Sequence, residues 1–142
     1  MKKIIYSCIG LLIVIIIFVM IKHENSYSVE KSTENGDFIT YPIQTNIESF
    51  YEFITNVNNH VNSKIRITEY SKEGAPKVND LTYDNNIIIL HSFYPNNLFN
   101  KKKKTGEYTE IYFEGIGDDK NMYLINSKLG IKTYICQISN FK

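Results

Sequence analysis

Residues 46–94 read NIESFYEFITNVNNHVNSKIRITEYSKEGAPKVNDLTYDNNIIILHSFY, and the period of their apolar positions changes once along the way. Ile47, Phe50, Tyr51, Ile54 and Val57 fall at i, i+3, i+4, i+7 and i+10, a single apolar stripe that predicts a helix over 46–60. Thr45 and Glu48 stand at capping-box spacing at its start. The Asn-rich run from Asn56 to Asn62 ends it. The period then becomes two. Ile65 and Ile67 alternate with Arg66, Thr68 and Tyr70, so 64–71 reads as a half-buried strand with its isoleucines toward the helix. Glu73-Gly74-Ala75-Pro76 turns the chain into a strand from Val78 to Tyr83, and Asp84-Asn85-Asn86 is a hairpin turn. Ile87 to Leu90 is continuously apolar, which suits a central strand covered on both faces.

Outward from this stretch, Asn35-Gly36-Asp37 signals a turn, and Phe38 to Tyr41 reads as a short first strand stopped by Pro42. Residues 95–106 read as the main loop. Tyr108 to Ile116 and Asn121 to Ile125 form a hairpin around Gly117-Asp118-Asp119, and Ile131 to Ile138 supplies a last edge strand. The expected fold class is α+β: one amphipathic helix packed on an antiparallel β-meander of five to six strands, preceded by an N-terminal transmembrane helix.

That last expectation rests on Ile4 to Ile21, 18 residues without a charge, 13 of them Ile, Leu, Val or Phe. Each favours the bilayer centre by roughly 0.3–0.6 kcal/mol. As a helix the run would be about 27 Å long, close to a hydrocarbon thickness of roughly 30 Å. Lys2 and Lys3 precede it, while Lys22 follows beside Glu24, so the positive-inside rule keeps the N-terminus in and sends the rest out. The chain divides into 1–22, a signal-anchor or transmembrane helix; 23–36, a polar linker; and 37–142, a single extracytoplasmic α+β domain. The expected location is the cell membrane, single-pass. Secretion after cleavage near Ser28 is the alternative, since Ser26-Tyr27-Ser28 is a small-x-small triplet.

Charge narrows the function classes. From His23 onward there are 13 basic and 15 acidic side chains, a balance of −2. An acidic first half and a basic second half do not make the uniform basic face of a nucleic-acid binder. Cys8 lies in the apolar run, so Cys136 has no partner in the domain and reads as a small apolar residue of the last strand.

The order Asn35-Gly36-Asp37, amphipathic helix, RITxYxxEGxP (Arg66 to Pro76) and DLxYD (Asp80 to Asp84) resembles a family of small exported, membrane- or lipid-anchored proteins of Gram-positive bacteria that carry a domain of unknown function. The resemblance covers roughly residues 35–126. It implies export and a helix-then-meander order, and it supplies no activity. It also implies a cysteine pair around the later hairpin and a lipobox cysteine. Neither is present there in this sequence, where Ile116 stands at one of the positions.

No constellation for nucleophilic or acid–base catalysis stands out. Arg66, Thr68 and Tyr70, with Asp80 and Tyr83 on the neighbouring strand, are the candidate polar ligand patch; an Arg66–Asp80 ion pair on a solvated sheet face is the plainer reading. Lys101, Lys102, Lys103 and Lys104 are candidate contacts to an anionic surface. His23, His60 and His91 have no ligand spacing, so no metal and no cofactor is expected. The expected partners are the cytoplasmic membrane and an envelope protein, anionic lipid or wall polymer. A non-catalytic binding module fits best. The alternatives are an envelope-associated hydrolase with a site near Arg66, Tyr70 and Asp80, or an inhibitor or immunity-type protein, the last by analogy of fold alone.

Overall fold

The computed structural model describes residues 9–17, 27–96 and 103–141. Residues 9–17 are helical (α1). Then follow α2 (Val29–Glu34), β1 (Phe38–Tyr41), α3 (Ile47–Asn58), β2 (Ser63–Tyr70), β3 (Pro76–Asp84), β4 (Ile87–Phe93), β5 (Lys104–Tyr108), β6 (Glu110–Glu114), β7 (Lys120–Asn126) and β8 (Ile131–Ile138). The fold is α+β, but its strands form two sheets, of order β1-β2-β3-β4-β5 and β6-β7-β8.

The expected antiparallel meander fails at its first strand. β1 lies parallel to β2, with Phe38 beside Ile67, so the larger sheet is mixed. The cause is α3, which stands between the two strands in sequence. A helical crossover returns the chain to the end of the sheet where it started, and the next strand then runs the same way. The capping box also does not form. The helix starts instead from Asn46 in a left-handed conformation at φ 56°, with no side-chain cap. Thr45 Oγ1 is buried without a hydrogen-bond partner.

Beyond β2 the period-two reading holds. Ile65 and Ile67 are buried on the helix side, and β2, β3 and β4 pair antiparallel. Asn85 and Asn86 both take positive φ, 50° and 65°, as a two-residue type I′ turn requires. β4 is covered on one face only: Ile88 and Leu90 are buried, while Ile87 is 38% exposed. β5 occupies residues read as the end of the loop. Its only buried residue is Tyr108, and Lys104 and Glu107 face solvent, the charged pattern that protects an edge strand from mispairing. The stretch from Tyr108 to Ile116 is not one strand. Thr109 breaks it, its amide donating to the Ile125 carbonyl of the second sheet.

The second sheet packs across the first. Thr133 of β8 meets Tyr108 of β5, the Ile135 carbonyl accepts from Asn79 of β3, and Ser139 meets Gln44 beside β1. β8 therefore runs over the strands of the larger sheet. Between the layers lie Phe38, Ile67, Leu81, Ile88 and Leu90 from the first sheet, Phe50 and Phe53 from α3, and Met122, Leu124, Ile135 and Ile138 from the second.

Residues 29–34, within the stretch read as a polar linker, form a helix capped by Ser28, whose Oγ accepts from the Lys31 amide. Ser32 is fully buried there. Among the described residues no helix is long and apolar enough to cross a membrane. Much of the apolar run from Ile4 to Ile21 lies outside those residues; within α1, Ile9 is 49% and Leu11 65% exposed.

Phe50 joins α3 to both sheets, its ring 4.9 Å from Phe38 and 6.3 Å from Phe113. Phe50→Ala is expected to cost about 3–5 kcal/mol, read as a lower urea midpoint in unfolding of the full chain followed by circular dichroism.

Candidate functional site

Alternation along β2 decides what the candidate patch looks like. With Ile65 and Ile67 turned into the core, Arg66, Thr68 and Tyr70 face the other way. In the register of β2 and β3, Arg66 stands opposite Asp80, Thr68 opposite Val78 and Tyr70 opposite Pro76. Four of the five expected residues therefore share a face. Tyr83 does not: it is three residues from Asp80 and turns to the core side. There its hydroxyl donates to Asn86 Oδ1 at 3.0 Å and lies 3.1 Å from His60 Nδ1, tying the end of α3 to the β3–β4 turn.

The shared face is covered by the chain from Tyr27 to Asp37. Arg66 Nε and Nη2 donate to the two carboxylate oxygens of Asp80 at 2.6 and 2.9 Å. That fork geometry is the strongest form of such a pair, and hydrogen bonding to Asp80 pushes the Arg66 pKa above its ordinary value. The two side chains keep 38% and 32% exposure, so solvent screening holds the pair to about 1 kcal/mol. Arg66 Nη1 donates to the Tyr27 hydroxyl at 3.4 Å, and that hydroxyl donates to Asp37 Oδ2 at 2.6 Å. Thr68 Oγ1 donates to the same oxygen at 2.7 Å. Tyr70 is 3% exposed; its hydroxyl donates to the Ser28 carbonyl at 2.6 Å and lies 2.5 Å from Ser32 Oγ.

The polar groups of the patch are thus engaged with one another. An open groove of about 410 Å³ beside it is lined by Asp37, Lys64, Arg66, Asp80 and Thr82. Another, of about 450 Å³, lies between the Tyr27–Glu30 stretch and Ser71–Gly74. Chemically the arrangement fastens the N-terminal segment to the sheet: an arginine held by both oxygens of its own aspartate is poorly placed to move protons. Asp37, 2% exposed, is the centre of that fastening. It was legible only as a turn residue.

Of the four lysines, Lys101 and Lys102 lie outside the described residues. Lys103 is exposed, and Lys104 opens β5 with its Nζ 3.4 Å from Thr133 Oγ1. His23 also lies outside. Among the described residues no three His, Cys, Asp or Glu side chains gather as a metal would need. Cys136 is buried in β8, and burial pushes its thiol pKa up, which leaves it unreactive.

A second feature, absent from the residues singled out in the sequence, lies on the other sheet. Tyr112, Tyr123 and Tyr134 are cross-strand neighbours on the outer face of the second sheet. Their rings stand 6.4 and 5.7 Å apart, and Tyr112 and Tyr134 are 43% and 40% exposed. Lys132 Nζ lies 4.7 Å from the Tyr112 ring centre and 4.0 Å from that of Tyr123, and pairs with Glu114 at 3.0 Å. The signal was available, since the three tyrosines fall eleven residues apart, the spacing that two successive tight hairpins produce.

A family profile described as a domain of unknown function (DUF4362) matches residues 37–108. The chain belongs to that family. The DUF4362 match runs from Asp37 to the last residue of β5, so it takes in the five-stranded sheet and α3. The later hairpin, which the resemblance had included, lies beyond it, as do α2 and the second sheet. No curated protein matches the chain. No solved structure does either.

Burial raises the Tyr70 phenol above its ordinary pKa of 10.0, and burial pushes Tyr134 up to about 12. Both keep their proton in the fold at a pH where the unfolded chain has lost it. The stability they carry is therefore complete below about pH 10 and declines as pH rises toward 12. Tyr70→Phe is expected to cost about 1–2 kcal/mol at neutral pH, from the bonds to Ser28 and Ser32, and to make the alkaline decline shallower in urea unfolding measured from pH 8 to 12.

Proposed function

We propose that this protein is an exported, membrane-anchored member of the DUF4362 family whose domain is a non-catalytic binding module for an envelope component. The observation that carries the binding reading is the tyrosine row. Exposed tyrosines on a rigid sheet supply contact area at little entropic cost, and Tyr is enriched where proteins meet partners. Lys77, 5.8 Å from the Tyr134 ring centre, and Lys132, which pairs with Glu114, set cations among the rings, suited to an anionic wall polymer or an acidic protein surface. The hydrolase alternative has less support, because Arg66, Tyr70 and Asp80 are spent on holding the fold.

The anchor reading is supported by α1. Its aliphatic side chains, from Ile9 to Ile17, are each about half exposed or more, so no face of it is buried against the domain. An apolar helix bare on every side finds its favourable surroundings in hydrocarbon. The anchored, outward-facing placement follows from the charge balance around the run, with secretion after cleavage near Ser28 as its alternative.

Isolated cell walls are expected to sediment the full chain, or an envelope protein to crosslink to it through a photoreactive residue at position 134. Tyr112→Ala combined with Tyr123→Ala should abolish the interaction while changing stability by no more than about 1 kcal/mol, as surface substitutions do. Arg66→Met should leave it intact. Undiminished binding by the tyrosine variant, or no binding by the wild type in either assay, overturns this reading.

A further inference from the structure

The two ends of the larger sheet differ. One end carries the Asn85–Asn86 turn and the start of β2. The other carries the end of β1, the β2–β3 turn from Ser71 to Ala75, the residues following β4, and the start of β5. Tyr27, the first described residue after α1, lies at this second end. Its amide donates to Asn96 Oδ1 at 2.7 Å, and the Ser28 carbonyl next to it accepts from Tyr70, the last residue of β2. Only residues 22–26 separate Tyr27 from the end of the apolar run at Ile21. Even fully extended, that length of chain reaches about 20 Å.

The side chains exposed at this end are of the types enriched at a bilayer surface. Ile43, in the turn after β1, is 73% exposed; Tyr41 is 43% and Tyr94 42% exposed. Lys72 and Lys103 are exposed beside them, with Glu30 and Glu73 as the nearby acids. Tyrosines collect at the level of lipid headgroups, and exposed lysines within a Debye length of an anionic leaflet are drawn to it at about 1 kcal/mol each. The opposite end also exposes apolar and basic side chains, Val61 (51%), Ile87 (38%) and Lys64 beside the Asp84-Asn85-Asn86 turn, so it is the attachment of the chain at Tyr27 that sets the two ends apart.

We infer that the domain rests on the bilayer by this end, with Tyr41, Ile43 and Tyr94 in the headgroup layer and Lys72 and Lys103 on anionic lipid, and that the Asn85–Asn86 turn points away. The inference rests on the anchored reading above and adds to it a fixed orientation. The short tether supplies a high local concentration of the surface, so weak contacts suffice to hold the domain down. It also explains why the first residues after the tether are clasped to the sheet: a loose segment would let the domain swing.

The test uses the full chain carrying Cys8→Ser, reconstituted into vesicles of phosphatidylglycerol and phosphatidylcholine, with one fluorophore at Lys72→Cys or at Asn86→Cys. Cys136 stays unlabelled because it is buried. The two sites lie at opposite ends of the strands, about 25 Å apart. A quencher attached to lipid headgroups should quench the Lys72→Cys label several-fold more strongly than the Asn86→Cys label. Ile43→Glu should shrink that difference, and vesicles of phosphatidylcholine alone should weaken it. Equal quenching on chains that float with the vesicles overturns the orientation while the anchor stands. Chains that do not float overturn the anchor, and the orientation with it.

Discussion

The structure hangs on one buried carboxyl group. Asp37 Oδ2 accepts hydrogen bonds from the Tyr27 hydroxyl and from Thr68 Oγ1, so it joins the segment before α2 to the middle of β2. The Asp37 amide donates to the Ser32 carbonyl and closes the turn after α2, and its own carbonyl accepts from Asn46 Nδ2 at the start of α3. Four elements therefore meet at one residue. A polar group this deep costs several kcal/mol if left unpaired, so any arrangement that separates these elements is penalised at once. The penalty, more than the modest gain of about 1 kcal/mol per bond, makes the contact a constraint.

Much of the surrounding geometry follows. Asn46 gives its side chain to Asp37, which is why it does not cap α3, while Thr45, the residue the capping box needs, is bridged to Ile39 through both backbone bonds. The Tyr27 hydroxyl links Asp37 to Arg66, so the Arg66–Asp80 pair becomes the outer rim of the same network. The residues read as a candidate ligand patch form the underside of a clasp, and Arg66 and Asp80 among them also line the open groove. The family match begins at Asp37 itself, so the residue belongs to the shared module, while the segment it holds lies before the match. On the other sheet, Tyr112 and Tyr134 of the tyrosine row stay exposed.

The sequence was most legible where one local rule acted alone. The stripe from Ile47 to Val57 gave α3, alternation gave β2 and β3, and the Asn85–Asn86 pair gave the hairpin turn. It was least legible where two distant pieces decided. The parallel β1 depends on the length of the crossover that follows it, and β5 on pairing with Ile88 to Ser92 rather than on its own Lys- and Glu-rich residues. Thr109 breaks an apparently continuous strand because the second sheet captures its amide. In the patch, Arg66 opposite Asp80 was readable from register. The exclusion of Tyr83 was readable too, by its odd spacing from Asp80. That the face would be covered was not, because residues 27–36 look polar and featureless until Ser32 and Tyr27 find Tyr70 and Asp37 across the fold.

The most direct test of this account is amide hydrogen exchange on the full chain with and without Asp37→Ala. The variant should lose protection at Ser32, Asn35 and Gly36, which are hydrogen-bonded in and after α2, while amides of β3 and β4 keep most of theirs. Unchanged protection at those three positions would contradict this, because the clasp would then hold without its centre.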